Sequence, residues 1–192
     1  MEDGGDMKIQ CNCGQFEAEL TNFPKNSPGR LMCYCDDCQK LLNKINRADL
    51  LDSYGGTEVI PVYPDEFQIL KGQEFLRCNR LSKNGINRWT ANCCNSPIGN
   101  TRAKFPWFGI FHSAFTVKDK SYLENLGPVR SRIMGKYAKG NPPFKIPDKI
   151  GVGDVMVVAP FLMKGMLFKK YKNSPFFKED GVTPISEPVI LR

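Results

Sequence analysis

The sequence predicts a mainly β protein of the α+β class, with a core of antiparallel strands and a C-terminal helical extension. Two observations favour this fold class. Short apolar or alternating runs are repeatedly interrupted by Gly, Pro and Asn over the first 116 residues, which is typical of strands joined by turns. The longest apolar stretch comes late and has the length of a helix. We therefore predict a core over residues 1–116 and a basic, partly helical extension over residues 117–192 that packs on it.

The strands of the core are predicted from their patterns. Residues 15–20 alternate apolar and polar side chains, which indicates a half-buried strand. Residues 22–30 contain two prolines and a glycine and are predicted to be a loop. The further predicted strands span residues 59–64, 67–70, 75–81 and 107–115, and residues 86–91 lead into the cysteine pair at 93 and 94.

Helices are predicted in both regions. Asp36 or Asp37 is expected to cap a helix that begins near Cys38. Residues 122–137 are predicted to be partly helical. Residues 152–171 are predicted to form a helix whose apolar run is interrupted by Lys164 and Gly165, and the uninterrupted part is too short to span a bilayer. This helix is interpreted as a core or lid helix, with an interfacial membrane helix or an oligomer contact as alternatives. Residues 174–192 are predicted to lie over the body as a tail.

Charge is unevenly distributed along the 192 residues. The net charge is +7, but residues 1–102 carry 12 Lys/Arg and 13 Asp/Glu, whereas residues 103–192 carry 15 and 7. A neutral cysteine-bearing region argues against nucleic-acid binding. The basic second half is either a solvated surface or attracts an anionic ligand or partner. The first six residues contain no apolar segment of a secretory signal, so a cytoplasmic location is expected.

Seven of the eight cysteines fall in three groups, and these are the strongest functional signal in the chain. The groups are Cys11 and Cys13; Cys33, Cys35 and Cys38; and Cys93 and Cys94. Such short spacings let one loop present two or three sulfurs to a metal ion, and zinc is the metal that fits sulfur ligands best. Reduced, metal-bound cysteines are also the norm in the cytoplasm. We predict one or two zinc ions. The middle group has three sulfurs and no obvious fourth ligand, as in a zinc site that retains an open position for chemistry.

The order of these groups resembles the glutathione-dependent formaldehyde-activating enzyme family. The resemblance is carried by three motifs in order. They are Cys11-Asn12-Cys13-Gly14, then Cys33-Tyr34-Cys35-Asp36-Asp37-Cys38, which begins 20 positions after Cys13, and then the turn Cys94-Asn95-Ser96-Pro97. It covers roughly residues 8–115. It implies a β-tent fold with two zinc sites.

The resemblance assigns Cys11, Cys13 and Cys94 to a structural zinc and Cys33, Cys35 and Cys38 to a catalytic zinc. This chain departs from the family at the late cysteine pair, because Ala91 occupies the position three residues before Cys94. Cys93 can substitute only if a bulge or turn brings two adjacent side chains to the same side. The alternatives are a three-cysteine structural site or no structural zinc.

The activity implied by the resemblance is that of a zinc-dependent carbon–sulfur lyase. A small thiol such as glutathione would bind at the open position and add to a small carbonyl compound. Arg88, Arg102 and Lys104 lie near the third cysteine group in sequence and are candidates to bind an anionic thiol.

Two other functions compete with the lyase interpretation. One is a non-catalytic, zinc-stabilised binding module with a basic partner-binding C-terminal surface, which would close the middle site with a fourth protein ligand. The other is reductase chemistry, for which Cys78 is the candidate lone thiol. His112, the single histidine, is interpreted as an ordinary strand residue, with a metal ligand or general base as the alternative.

Overall fold

The computed structural model describes residues 5–115 and 126–191. Within those residues the chain forms eleven β-strands, and two α-helices lie wholly inside them. The strands are β1 (Gly5–Gln10), β2 (Glu17–Phe23), β3 (Leu31–Cys33), β4 (Thr57–Val62), β5 (Phe67–Lys71), β6 (Leu76–Arg80), β7 (Asn87–Ala91), β8 (Ser96–Thr101), β9 (Phe108–Phe111), β10 (Ser131–Ile133) and β11 (Val189–Ile190). The helices are α1 (Asp36–Lys44) and α2 (Val152–Leu167).

The strands form two sheets that confirm the mainly β prediction. A three-stranded sheet has the order β1-β2-β5, and an eight-stranded sheet has the order β10-β3-β4-β9-β8-β7-β6-β11. Neighbouring strands are antiparallel except at the two edges of the larger sheet, where β10 runs parallel to β3 and β11 runs parallel to β6. Both parallel edge strands come from the C-terminal region, so that region extends the larger sheet at each end.

The main hydrophobic core contains side chains of both sheets. β4, β7, β8 and β9 are buried at every position, as expected for strands covered on both faces. Trp89, Phe108 and Phe176 are fully buried, and the ring of Phe176 lies 5.0 Å from that of Trp89 and 4.5 Å from that of Phe108. Phe176 belongs to the segment predicted to lie over the body as a tail, and its ring anchors that segment in the core.

Helix α1 begins earlier than predicted and has a different cap. Its N-cap residue is Cys35, whose sulfur accepts a hydrogen bond from the backbone N–H of Cys38. Asp36 and Asp37 therefore lie in the first turn, where carboxylates interact favourably with the helix dipole. Leu41 and Leu42 are fully buried in a second, smaller hydrophobic cluster. This packing fixes the position of the loop that carries the middle cysteine group.

Helix α2 confirms the prediction for residues 152–171 over most of its length. Gly165 is buried against the body, and a Cβ atom there would lie 2.5 Å from Cβ of Pro106 and 2.6 Å from the ring of Tyr63. The ring of Phe161 stacks on Tyr63 at 4.3 Å between centroids. The opposite face of α2 is exposed and apolar, with Met156 70% and Met163 71% exposed. In the described part of the chain, no helix has both the length and the hydropathy needed to cross a membrane.

In the segment predicted to be partly helical, residues 122–137, Leu126 is helical and Gly135–Tyr137 form a short 3-10 helix, whereas Ser131–Ile133 form β10. The backbone N–H groups of Tyr34 and Arg130 donate to the carbonyls of Ile133 and Arg30, at 3.1 and 3.0 Å, and these bonds fix the parallel pairing of β10 with β3. Long-range pairing outweighs local propensity here. Residues 122–125 of that prediction lie outside the described residues.

The prediction of a strand over residues 107–115 is confirmed for β9, but the chain then turns into a short 3-10 helix at His112–Ala114.

Candidate metal centres

Seven cysteines form two groups in which all sulfur atoms lie within 4.8 Å of one another. The four-cysteine centre contains Cys11, Cys13, Cys93 and Cys94, and the three-cysteine centre contains Cys33, Cys35 and Cys38. All eight cysteines are free thiols, so none is held in a disulfide. The two centres therefore unite all seven cysteines of the three sequence groups.

The four-cysteine centre is built from two tight turns. The first connects β1 to β2, where Gly14 adopts φ +75° and its N–H donates to the carbonyl of Cys11 at 3.0 Å. The second connects β7 to β8 and contains both Cys93 and Cys94. Asn95 ends this turn with φ 54°, a left-handed conformation that asparagine tolerates well. The turn is the feature required for adjacent cysteines to point the same way, so Cys93 takes the place that Ala91 cannot fill.

The sulfur positions of this centre fit a tetrahedral metal ion. The distances between Sγ atoms are 3.6 Å for Cys11–Cys13, 3.7 Å for Cys11–Cys93, 3.4 Å for Cys13–Cys93 and 3.9 Å for Cys93–Cys94. Four thiolates around a tetrahedral ion with metal–sulfur bonds of about 2.3 Å would be separated by about 3.8 Å. The four-cysteine centre could therefore hold a metal ion with little rearrangement.

Hydrogen bonds support two of these sulfurs as anions. The backbone N–H of Phe16 donates to Cys11 Sγ at 3.3 Å, and Ser96 Oγ lies 3.1 Å from Cys94 Sγ. Burial acts to raise the pKa of Cys94, but hydrogen bonds from Ser96 and Cys13 outweigh it and lower that pKa to about 6. Burial raises the pKa of Cys11. The thiols of this centre differ in pKa and lie in contact, so their thiolates would repel one another. All four are deprotonated together only when a bound cation shares their negative charge.

The three-cysteine centre lies where β3 ends and α1 begins. Cys33 is the last residue of β3, Cys35 caps α1, and Cys38 lies in the first turn of α1. The Sγ atoms of Cys33 and Cys38 are 3.9 Å apart, and the N–H of Cys38 donates to Cys35 Sγ at 3.3 Å. The N-terminus of the helix also stabilises negative charge at this position.

Only one of these three thiols is readily ionised in the absence of a cation. Hydrogen bonds from Cys33 and Cys38 lower the pKa of Cys35 to about 3, and the positive charge of Arg88 acts in the same direction. The hydrogen bond to Cys35 raises the pKa of Cys33 to about 12, and the other two sulfurs raise the pKa of Cys38. A second thiolate would be repelled by the first, so the arrangement is suited to a cation that all three sulfurs share.

The three-cysteine centre opens into a cavity of about 420 Å³, which we call the metal cavity. Besides the cysteines, its walls include Arg88, Asn100 and Trp107. Among the residues described, no fourth His, Cys, Asp or Glu side chain joins the three sulfurs. A metal ion held there would have one coordination position facing the cavity.

Arg88 is the most unusual side chain of the metal cavity. The residue is only 2% exposed, and Nη2 donates to Asp37 Oδ2 at 2.8 Å. Nε and Nη1 are buried and lack a hydrogen-bond partner in the described part of the chain. A buried cation with two unused donors favours an anion beside it. The sequence placed Arg88 near the third cysteine group, but the structure places it at the middle one.

The remaining candidate residues do not belong to either centre. Arg102 and Lys104 are exposed, and Lys104 lines a different cavity beside the C-terminal segment. His112 Nδ1 lies 3.4 Å from the carbonyl oxygen of Glu58, and neither cysteine group contains a histidine. Cys78 is fully buried, which raises its pKa to about 11, whereas a reactive thiol has a lowered pKa.

Several residues of the metal cavity have no signal in the sequence. Asn100 and Trp107 come from β8 and from the loop before β9, and Ile133 and Met134 come from β10 and the residue after it. These positions are brought together by strand pairing across the larger sheet. An isolated arginine between buried residues, as in Asn87-Arg88-Trp89, is the one local pattern that could have pointed to this cavity.

A family model described as a family of unknown function, DUF6151, matches residues 6–188. The chain belongs to the DUF6151 family. The match spans both centres and α2, so the core and the C-terminal region are parts of one family unit. A crystal structure of a Rhodobacter sphaeroides protein is similar to 64% of this chain and 97% of that one, with 18% sequence identity and a TM-score of 0.42. A search of curated proteins found no match.

Proposed function

We propose that the protein is a zinc-dependent carbon–sulfur lyase of the formaldehyde-activating type, which joins a small thiol to a small carbonyl compound at the three-cysteine centre. The observation that carries the proposal is that three close sulfurs line a cavity with no fourth protein ligand among the described residues. A closed set of four sulfurs, as in the four-cysteine centre, is typical of a structural ion instead. On this proposal the four-cysteine centre stabilises a β-tent core and the three-cysteine centre carries the chemistry.

Zinc is the metal that we assign to both centres. Their candidate ligands are sulfur only, and the Sγ–Sγ distances of the four-cysteine centre fit a tetrahedral arrangement. When bound at the three-cysteine centre, zinc would lower the pKa of a substrate thiol and favour its ionised form near neutral pH.

The chain's own residues would bind and orient the substrates. Cys33, Cys35 and Cys38 hold the ion at the inner end of the cavity, and Arg88 supplies a fixed positive charge where an anionic sulfur or a carbonyl oxygen is favoured. Asp37 keeps the guanidinium in place through the 2.8 Å ion pair.

The reaction balances without an oxidant or reductant. One bond forms between the thiol sulfur and the carbonyl carbon, and the carbonyl π bond becomes an O–H bond. The proton lost by the thiol ends on the former carbonyl oxygen. The reverse reaction cleaves the same carbon–sulfur bond, which is the lyase direction. Glutathione is a candidate thiol because it is anionic and Arg88 is cationic.

A second candidate function is the partner-binding module, and the observation in its favour is the exposed surface of α2. Val152, Met156 and Leu167 are 82%, 70% and 75% exposed, and exposed lysines follow the helix at Lys169 and Lys172. Apolar and basic groups together suit an acidic partner protein. This function would not require an open position at the three-cysteine centre.

Metal content and thiol binding test the proposal together. The purified protein should contain two metal ions per chain. In the cobalt(II)-substituted protein, adding glutathione or 2-mercaptoethanol should change the visible absorption of one of the two ions. Cys35→Ser should retain one ion and lose the response, whereas Cys78→Ala, which alters a cysteine outside both centres, should retain both. Two ions in Cys35→Ser, or no thiol response in the cobalt protein, would contradict the proposal.

A further inference from the structure

A second cavity lies beside the metal cavity and has a different character. It has a volume of about 290 Å³ and lies between α2 and the edge of the larger sheet. Helix α2 contributes Val155, Val158, Ala159 and Leu162 to its walls. We call it the apolar cavity, because nearly all of its surface is hydrocarbon.

The two cavities are neighbours that share part of their walls. Leu31, Trp107 and Ile133 line both of them. Leu31 and Ile133 belong to the paired strands β3 and β10, and β3 also carries Cys33 of the three-cysteine centre. A ligand held at the metal position therefore has an apolar space beside it, bordered by the same three side chains.

Trp107, one of the three residues that line both cavities, is held in place by contacts on two sides. Trp107 Nε1 donates to Asn100 Oδ1 at 3.2 Å on the side of the metal cavity. On the side of α2, its ring meets the ring of Phe161 edge to face, with 6.2 Å between centroids. Phe161 is in turn fixed by stacking on Tyr63. The apolar cavity is therefore preformed, which lowers the entropy cost of binding a ligand.

The polar side chains at the border of the apolar cavity are already satisfied. The hydroxyl of Ser131 donates to Oδ1 of Asp154, and the backbone N–H of Gly151 donates to Oδ2 at 2.8 Å. The indole N–H of Trp107 is used by Asn100. A polar group placed in this space would lose its hydrogen bonds to water and find no free partner, so the cavity selects hydrocarbon.

We infer that the ligand of the three-cysteine centre carries an apolar arm, an alkyl or aryl group, that occupies the apolar cavity under α2. The inference rests on the proposed function, because it takes the head group of that ligand to be a thiol at the open position. The volumes of the two cavities, about 420 and 290 Å³, place the combined space within the range of roughly 300–1,000 Å³ that is usual for small-molecule sites. The preferred substrate is then an alkyl or aryl thiol, or the adduct of such a thiol, and not a wholly polar thiol.

A series of alkanethiols in the cobalt(II)-substituted full-length protein tests this inference. Ethanethiol, butanethiol and hexanethiol present the same head group with arms of increasing length, and the visible spectrum reports their binding. Affinity should increase by up to about fourfold for each added methylene while the arm enters the apolar cavity. Glutathione, which has no hydrocarbon arm, should bind more weakly than hexanethiol.

Variants of α2 locate the arm. Ala159→Phe fills the apolar cavity without touching the metal cavity, so hexanethiol should bind at least tenfold more weakly while ethanethiol is unaffected. The matched control is Met156→Phe on the exposed face of the same helix, which should change neither affinity. Val158→Ala enlarges the cavity and should shift the optimum towards longer thiols, which provides a test should the larger side chain at position 159 prevent folding.

The outcomes separate the two proposals. If no thiol of the series, ethanethiol included, changes the cobalt spectrum, the proposed function fails and the inference fails with it. If the thiols bind with affinities that do not depend on arm length, or if a folded Ala159→Phe protein binds hexanethiol normally, the apolar arm is refuted and the proposed function stands.

Discussion

The two cysteine centres use the same ligand atom in two different settings. The four-cysteine centre is assembled from two hairpin turns, and one of its cysteines, Cys13, is exposed to solvent. The three-cysteine centre is assembled from a strand end and a helix start, and it faces a cavity that contains a buried arginine. The number of sulfurs differs by one, so a tetrahedral ion at the three-cysteine centre would have one position without a protein ligand among the described residues.

The two centres also differ in which elements of the fold they connect. The turns of the four-cysteine centre join β1 to β2 and β7 to β8, so an ion there would link the smaller sheet to the larger one. The three-cysteine centre joins only β3 to the helix that follows it, α1, and α1 already packs on β4 and β9 through Leu41 and Leu42. We therefore expect the first ion to contribute mainly to stability and the second mainly to ligand binding.

The largest effect is expected from opening the four-cysteine centre. Cys11→Ser should remove one metal ion per chain and several kcal/mol of stability, because the ion links turns that are distant in sequence. The melting temperature should fall by roughly 10 °C or more. Calorimetry with metal analysis measures both quantities.

Cys35→Ser provides the comparison for that variant. It also removes one ion, but a serine can cap α1 as the cysteine does, so the melting temperature should fall by only about 2–4 °C. Equal losses of stability in the two variants would contradict the division of roles between the centres.

An intermediate effect is expected from Arg88, on binding and not on metal content. Arg88→Met removes the buried positive charge beside Cys35, so affinity for an anionic thiol should fall by roughly tenfold to a hundredfold. The metal content should stay at two ions per chain. A titration of the cobalt(II) protein with glutathione measures the change.

Two further variants separate the charge of Arg88 from its packing. Arg88→Lys retains the charge and should recover part of the affinity. Asp37→Asn removes one negative charge near the site but keeps a side-chain oxygen that can accept the hydrogen bond of Arg88, so it should not lower the affinity. Normal thiol affinity in Arg88→Met would show that the guanidinium does not act on the ligand.

The local features of this comparison could be predicted from the sequence. Cysteine spacing identified all seven grouped cysteines, since sulfurs one to three residues apart lie on one turn wherever that turn is placed. Short strands such as β5 and β6 are bounded by turn residues, and α2 is long and apolar enough to be recognised. These features depend on neighbours in the chain.

The features that could not be predicted depend on distant neighbours. Ser131–Ile133 form a strand because β3 offers an edge, and three residues are too few to show a period. Arg88 lies five residues before Cys93, yet at about 3.3 Å per residue β7 carries it well away from the turn and to the other centre. Phe176 fills the core from a segment with the composition of a loop. Cys35 caps α1 although two aspartates beside it are better capping residues.

The smallest effect is expected from Asn95, which changes only the geometry of the turn at the four-cysteine centre. Its φ of 54° costs an ordinary L-residue such as alanine about 1 kcal/mol, whereas glycine adopts it freely. Asn95→Ala should therefore lower the melting temperature by about 2–4 °C, and Asn95→Gly should leave it nearly unchanged. Both variants should retain two ions and normal thiol binding, because the three-cysteine centre does not contact this turn. If Asn95→Ala also weakened thiol binding, the two centres would be coupled through β7, and stability and chemistry could no longer be assigned to separate ions.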